Sequence, residues 1–149
     1  MAITKLVADS LGAGATPNQS AFKNIIINGD MSIAQRGTSE SGITSGGYKT
    51  IDRMYMVSNL GTFTQSQSTD VPTGQGFAKS LKMDCTTANA SPSSGTLLYV
   101  AQLIEGQNLQ YLKKGTSSAE SLTLSFWVKS SKTGTYICEL YDNDNTRQI

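Results

Sequence analysis

The dipeptide Asn28-Gly29 constrains this sequence more than any other short feature. It follows an apolar run, Ile25–Ile27, and precedes a run, 31–36, in which side chains alternate in character. Both residues tolerate a positive φ, so Asn-Gly between two strand-like runs predicts a tight hairpin or corner. A Gly- and Ser-rich loop, 37–47, then leads to a third predicted strand. This order is typical of the start of an antiparallel β-sandwich.

Turn signals divide the rest of the chain into short strand-like runs, which favours an all-β sandwich. The predicted strands are 24–28, 31–36, 51–58, 61–69, 77–84, 96–105, 121–129 and 134–141. Residues 107–112 are predicted to form one helical turn. A turn at 142–145 is predicted to lead into a further strand from Arg147.

The side-chain pattern predicts where three of these strands lie. Run 61–69 alternates Thr and Ser with Phe and Gln, which predicts an edge or largely solvated strand. Run 97–104 is apolar on both faces, which predicts a covered central strand. In 121–128 one parity is apolar and is predicted to face the core, which assigns to the core Leu122, Leu124, Phe126 and Val128.

Composition excludes several classes of function. The 149 residues support one domain with a core. The net charge is +1 without a basic cluster, so nucleic-acid binding is not predicted. No apolar stretch approaches the roughly 20 residues of a membrane span, and no membrane insertion is predicted. The chain lacks histidine, the commonest general acid/base and zinc ligand.

The first residues differ from the rest and predict a separate N-terminal arm, 1–20, before a β-sandwich domain, 21–149. The arm carries large aliphatic residues at a helix-compatible spacing and then a flexible Gly- and Ala-rich break. Because such residues need a partner surface, we expect docking through Ile3, Leu6, Val7 and Leu11. The arm shows no signal-peptide pattern, which predicts synthesis in a reducing cytoplasm. Cys85 and Cys138 are then predicted as buried free thiols, with a disulfide as the alternative.

Three segments carry a family resemblance. Residues 24–30 (Asn-Ile-Ile-Ile-Asn-Gly-Asp), 34–39 (Ala-Gln-Arg-Gly-Thr-Ser) and 47–54 (Gly-Tyr-Lys-Thr-Ile-Asp-Arg-Met) follow one another in an order that resembles a module of bacteriophage tail-fibre proteins. The module is similar to the jelly-roll type of carbohydrate-binding module. Residues 1–10 resemble the opening of many phage fibre proteins, and 121–130 (Ser-Leu-Thr-Leu-Ser-Phe-Trp-Val-Lys-Ser) resemble the core strand of that family.

The resemblance implies an antiparallel jelly-roll sandwich in a virion assembled in the host cytoplasm. It implies an arm that docks on phage tail proteins or on sister subunits, with a homotrimer as the expected assembly. A jelly roll needs the strand begun at Arg147 and further strands. The chain is then either incomplete at its C-terminus or takes strands from a neighbour.

Trp127 and Tyr48 are the candidate ligand-binding residues. Trp127 lies on the Thr/Ser parity of its run, where an indole ring offers a flat platform for a sugar. The alternative is a Trp covered by the arm, a loop or another subunit. Tyr48 lies in the Gly-rich loop and is expected to be the most exposed tyrosine. Asp52 and Arg53 are predicted to point to opposite faces of one strand, so each is assigned a structural role, either pairing with a neighbouring strand or capping the loop 37–47.

No catalytic motif is present, and no enzyme activity, cofactor or metal is predicted. Residues 142–145 resemble the start of a calcium loop but lack the Gly and Glu that such a loop requires. Some jelly-roll sugar-binding modules hold a structural calcium, for which no ligand set can be named here. The leading hypothesis is a structural tail-fibre protein that mediates tail attachment and host adsorption. The alternatives are a module that binds a host surface glycan and a glycan-degrading enzyme.

Overall fold

The computed structural model describes residues 24–148, and in this range the chain is all-β with one short helix. The predicted arm and its four docking residues, Ile3, Leu6, Val7 and Leu11, lie outside the described residues. The elements in chain order are β1 (Ser39–Ile43), β2 (Gly47–Tyr48), β3 (Tyr55–Ser58), β4 (Thr62–Ser68), β5 (Ser80–Thr87), β6 (Leu98–Ala101), a 3₁₀ helix (Gly106–Leu112), β7 (Tyr141–Asp142) and β8 (Arg147–Gln148).

The strands form three antiparallel sheets. The first has the order β1-β4-β5, the second β2-β3-β6, and the third is the β7–β8 pair. In the first sheet Gln65 pairs with Glu40 on one side and Met83 on the other. In the second sheet Met56 pairs with Gly47 and Val100. None of the three sheets closes on itself among the described residues.

A small apolar core joins the two larger sheets. Ile43 and Phe63 come from the first sheet and Met56 from the second, and each is nearly inaccessible to solvent. Met83 packs against the same cluster from β5. The sheets therefore contact each other over few side chains, while many large apolar residues elsewhere stay exposed.

A buried polar contact accompanies this core. The Gln65 side chain is 0% exposed, and its Oε1 accepts hydrogen bonds from the Thr50 N–H at 2.9 Å and the Thr50 hydroxyl at 2.8 Å. Its amide nitrogen lies 3.6 Å from the Met83 sulfur. Gln65 thereby links β4 to the turn before β3 and satisfies polar groups that would otherwise be costly to bury.

The predicted strands 24–28 and 31–36 are not formed, and of the two predicted alternatives, hairpin or corner, the structure has the corner. The Met31 N–H donates to the Asn28 carbonyl at 3.0 Å, and both residues have positive φ, 57° and 58°. The flanking runs form no strands because side-chain amides, described below, take up backbone groups that a ladder would use. The first strands, β1 and β2, lie instead around the Gly-rich loop.

The predicted positions of two strands are also wrong. β4 is predicted to be an edge or largely solvated strand, but it is the central strand of its sheet. β5 pairs with one side of it and β1 with the other. β6 is an edge strand whose Leu98, Tyr99 and Val100 are exposed. The helical turn predicted at 107–112 is confirmed as the 3₁₀ helix, and the strand predicted to begin at Arg147 as β8.

The segment 121–128 departs most from the expectation. It forms no regular strand, and the four side chains assigned to the core are exposed, namely Leu122, Leu124, Phe126 and Val128. The neighbouring run 134–140 is likewise outside any strand and exposed. A period of two predicts which side chains share a face, but it does not supply the strand or sheet that covers them.

Two further expectations concern cysteines and membranes. Cys85 and Cys138 are free, as predicted, but both are exposed rather than buried. Between residues 24 and 148, no helix has the length and apolar character needed to cross a bilayer.

Candidate functional site

Asn28 organises the corner on which the candidate site is built. Its side-chain amide donates to the carbonyls of Ile33 and Asp52, each at 2.9 Å. Its side-chain oxygen accepts from the Ile33 N–H at 2.9 Å. The left-handed conformation of Asn28 allows these contacts, and Asn tolerates it better than most residues. The loop 28–33 is therefore fixed to the turn before β3.

Two glutamine side chains anchor the same corner to the sheets. Gln102 exchanges hydrogen bonds with the backbone of Ile27, accepting at 2.8 Å and donating at 2.7 Å. Gln67 of β4 donates to the carbonyls of Met31 at 2.7 Å and Ser32 at 3.0 Å. The corner is thus held to β4 of the first sheet and to the residue that follows β6 of the second, without being a strand of either.

Asp52 and Arg36 form a charged pair beside an aromatic ring. The Nη1 group of Arg36 donates a hydrogen bond to Asp52 Oδ1 at 3.0 Å. The backbone N–H of Gln35 donates to the other oxygen of the same carboxylate at 3.4 Å. The Arg36 guanidinium lies 5.5 Å from the centre of the Tyr48 ring, within range of a cation–π contact. Tyr48 packs edge-on against Tyr55, its register partner, at 5.1 Å.

Arg53 lies beside this pair in an unfavourable conformation. Its φ is 69°, a left-handed value that costs a long side chain about 1–2 kcal/mol. Its Nη2 donates to the Leu103 carbonyl at 3.2 Å and lies 3.5 Å from Glu105. Its Nε is enclosed and has no hydrogen-bond partner among the described residues.

Glu105 shows the electrostatic effect of this arrangement. The N–H of its own backbone and the positive charge of Arg53 hold the pKa of the Glu105 carboxyl below its ordinary value. Asn108 adds a hydrogen bond at 3.1 Å. Arg53 therefore ties the turn before β3 to the chain just after β6.

These residues line an open pocket of about 460 Å³. That volume falls in the range of about 300–1,000 Å³ that small-molecule sites occupy. Its described lining residues are Ile27, Asn28, Ile33, Gln35, Arg36, Tyr48, Asp52 and Arg53. They combine planar polar groups, two guanidinium groups and an aromatic ring, which suits recognition of a polar ligand. Asp52 is the single carboxylate among them, whereas glycoside hydrolysis uses two.

The structure separates the two predicted ligand-binding residues. Tyr48 lines the pocket, with 38% of the residue exposed, which is less than Tyr99, Tyr136 or Tyr141. Trp127 is 64% exposed and is not among the described lining residues. The prediction that Tyr48 is the most exposed tyrosine is therefore wrong. The predicted placement of Asp52 and Arg53 on opposite faces of a strand is wrong, because both lie in the turn before β3 and line the same pocket. Each does have its own ion-pair partner, Arg36 for Asp52 and Glu105 for Arg53.

In the turn at 142–145, which resembles the start of a calcium loop, the Asp142 carboxylate is hydrogen-bonded within the turn itself. Asp142 accepts hydrogen bonds from the Asn145 side chain at 2.7 Å and from the backbone N–H groups of Asp144 and Asn145. The Asn145 amide, followed by the backbone groups, lowers the pKa of Asp142. In the described range, no group of three or more Cys, Asp and Glu side chains is placed to hold a metal ion.

Sequence reasoning missed most of the pocket. Asn28 was noticed as a turn residue, but its side chain reaches Asp52, 24 positions along the chain. Gln35 and Arg36 carried no signal beyond their place in the resembled segment. The adjacent Asp52-Arg53 pair was the one usable signal, although both residues lie in a turn and line the same pocket instead of opposite faces of a strand.

Comparisons with known proteins add no relationship. No protein-family model matches the chain, and searches of curated proteins and of solved structures give no significant match.

Proposed function

We propose that this chain is a structural virion protein of a bacteriophage tail fibre that mediates tail attachment and host adsorption. The exposed apolar surface carries the proposal. Large apolar side chains of β6 and of 122–141 face solvent in the isolated subunit, among them Tyr99, Phe126 and Ile137. Exposed apolar surface on this scale marks an interaction site. Sister subunits of a homotrimer would cover it.

We infer that the complete fold is a jelly-roll sandwich in which 121–128 extends the first sheet. β5 is an edge strand in the described structure, and its first residue, Ser80, pairs with Ser68 at the end of β4. Lys129 Nζ lies 2.7 Å from Asp70 Oδ2, two residues beyond that end. This contact supports an arrangement in which 121–128 runs antiparallel along the free edge of β5.

The arm of residues 1–20 is proposed as the anchor. Its four aliphatic residues, Ile3, Leu6, Val7 and Leu11, would dock on phage tail proteins or on sister chains. Localisation in the virion, with assembly in the host cytoplasm, follows from this role. The sequence resemblance to phage fibre proteins supports both statements.

A pull-down with three proteins tests whether the arm is the anchor. The full chain, a version lacking residues 1–20 and a full-length variant with the four aliphatic residues changed to Ser are each mixed with fibreless phage tails. We expect only the unchanged chain to bind. Equal binding by all three would contradict the arm as the anchor. Failure of the unchanged chain to bind any tail preparation would contradict the tail-fibre assignment.

Binding of a host surface glycan is the second candidate function. The 64% exposure of Trp127 favours it, because an exposed indole offers a face for a sugar ring. Trp127→Ala is then expected to abolish binding to host glycan without lowering the unfolding temperature. Unchanged glycan binding would contradict this role, and melting of the domain would show that Trp127 is covered in the assembly.

A glycan-degrading enzyme is the third candidate, and we propose no catalytic role. The expected result is that host polysaccharide incubated with the full chain yields no new reducing ends. New reducing ends that require the folded protein would show that the chain degrades glycan and would contradict the absence of a catalytic role.

A further inference from the structure

We propose that the pocket beside β2 binds a sugar unit that carries an anionic group, a carboxylate or a phosphate. The site is distinct from Trp127. The inference deepens the second candidate function, from which it takes only the glycan as the source of its ligand. It does not depend on the virion assignment or on trimer formation.

The polar groups of the pocket are held in place without a ligand. Asn28 and the Gln35 N–H fix the loop 28–35 to Asp52, and Asp52 in turn orients Arg36. The Arg36 guanidinium lies over the ring of Tyr48, and that ring packs against Tyr55. A ligand would find these groups already oriented, so little side-chain entropy is lost on binding.

Two unfavourable features coincide at one residue of the pocket lining. Arg53 combines a left-handed φ of 69° with an enclosed Nε that has no partner among the described residues. An unsatisfied buried donor costs about 1–3 kcal/mol, and a non-Gly residue in this conformation costs a similar amount. Backbone strain of this kind clusters at binding sites. Neither feature is needed to form the turn, since a glycine would adopt the same φ without cost.

The chemistry of the lining suits a polar ligand. The Gln35 amide, the Asp52 carboxylate and the guanidinium groups offer donors and acceptors that match the hydroxyl groups of a sugar, whereas the Asn28 amide is already engaged by the backbone. Arg36 pairs with Asp52, and Arg53 pairs with Glu105, which lies outside the described lining. The Arg36 side chain is 53% exposed, so its remaining N–H groups can reach a ligand. Guanidinium groups pair well with carboxylates and phosphates, which favours an acidic over a neutral sugar.

Isotope-labelled full chain titrated with four probes tests the inference by NMR. The probes are glucuronic acid, glucose 6-phosphate, glucose and inorganic phosphate. We expect the two acidic sugars to shift the amide signals of Gln35, Tyr48 and Arg53, and the neutral sugar and phosphate to bind at least about tenfold more weakly. The stronger of the two acidic sugars identifies the anion.

Two variants locate the site. Arg36→Gln is expected to weaken binding of the acidic sugar at least about tenfold, because a hydrogen bond to a charged group is lost. Lys82→Gln removes a positive charge outside the pocket lining and, as the matched control, is expected to bind normally. Unfolding temperatures confirm that each variant is folded.

Several outcomes would overturn the proposal. They are no shifts with any sugar, equal shifts with inorganic phosphate or glucose, shifts confined to the signals around Trp127, and an Arg36→Gln variant that binds like the unchanged chain. Binding to host glycan that is lost in Trp127→Ala while the pocket stays silent would leave the second candidate function intact. The two failures are thus distinguishable.

Discussion

At the residue scale, single side chains replace pieces of secondary structure in this protein. Asn28 and Gln102 satisfy backbone groups of Ile33 and Ile27, which the sequence pattern assigns to two separate strands. Gln65 does the same for Thr50 inside the core. An amide carries both a donor and an acceptor, so it can substitute for a neighbouring strand at one position.

Gln65→Leu tests the buried amide. The change removes both hydrogen bonds accepted by Oε1 and leaves the Thr50 N–H buried without a partner. We expect the free energy of unfolding to fall by about 2–4 kcal/mol, measured by urea denaturation. Gln75→Leu, at an exposed turn position, is the control and is expected to change stability by less than about 0.5 kcal/mol. Equal stability of the two variants would show that leucine packing compensates for the lost bonds.

A pair of glycines separates backbone strain from steric overlap. Gly61 and Gly42 share a φ of +70°. A Cβ on Gly61 would lie 2.3 Å from the Thr87 carbonyl oxygen, whereas one on Gly42 would meet nothing within 4 Å. Gly42→Ala is therefore expected to cost about 1–2 kcal/mol for the left-handed conformation alone.

Gly61→Ala is expected to cost about 1–3 kcal/mol more than Gly42→Ala, because the strands must also move apart where β4 begins. Denaturation of the two variants side by side measures the difference. Similar losses would mean that the Gly61 turn relaxes away from Thr87.

At the element scale, edges decide which strands are covered. β4 is central because β1 forms within the Gly-rich loop, and β6 stays at an edge with its apolar side chains exposed. Arg53 connects the turn before β3 to the chain after β6 through Leu103 and Glu105. Of these two contacts, the ion pair with Glu105 depends on the charge of the Glu105 carboxylate.

The Glu105 carboxyl is expected to report this connection through its pH dependence. Its pKa is lowered in the folded protein, so the carboxylate contributes to stability above its ordinary pKa. That contribution is lost as the pH falls through the folded pKa, and nothing changes near neutrality. Arg53→Gln should raise the pKa of Glu105 only in part, because the bond from its own backbone N–H remains.

A carbon-detected NMR titration of the Glu105 carboxyl measures the effect. Lys113→Gln, which removes the partner of Glu120 instead, is the control and should leave Glu105 unchanged. An identical Glu105 titration in Arg53→Gln and in the unchanged chain would contradict the proposed contact.

At the scale of the whole molecule, more of the large apolar side chains in residues 24–148 are exposed than are buried. The core cluster joins Ile43, Met56 and Phe63, while Phe126 and Val128 remain 63% and 73% exposed. Such an imbalance predicts that the subunit associates, because burying apolar area contributes roughly 25 cal/mol per Å².

Light scattering coupled to size exclusion tests this expectation. The full chain should elute at a multiple of 15.9 kDa, with three copies expected. Phe126→Ser combined with Val128→Ser should shift the protein towards the monomer, and Thr123→Ala combined with Ser125→Ala should not. A monomeric unchanged chain would contradict the trimer, and an assembly that tolerates the serine pair would place the interface elsewhere.

The sequence alone determined the all-β class, the turn at Asn28, the helical turn after β6 and the strand at 62–68. These are local properties, set by turn chemistry and by a period of two. Strand neighbours were decided only by the tertiary structure, because pairing depends on which segments meet in space. The pocket was decided in the same way, since Asn28 and Arg36 reach Asp52 across loops whose lengths carry no readable signal. The exposed segment 121–128 shows the limit most clearly: its alternation defines two faces, and only a packed partner decides which of them is buried.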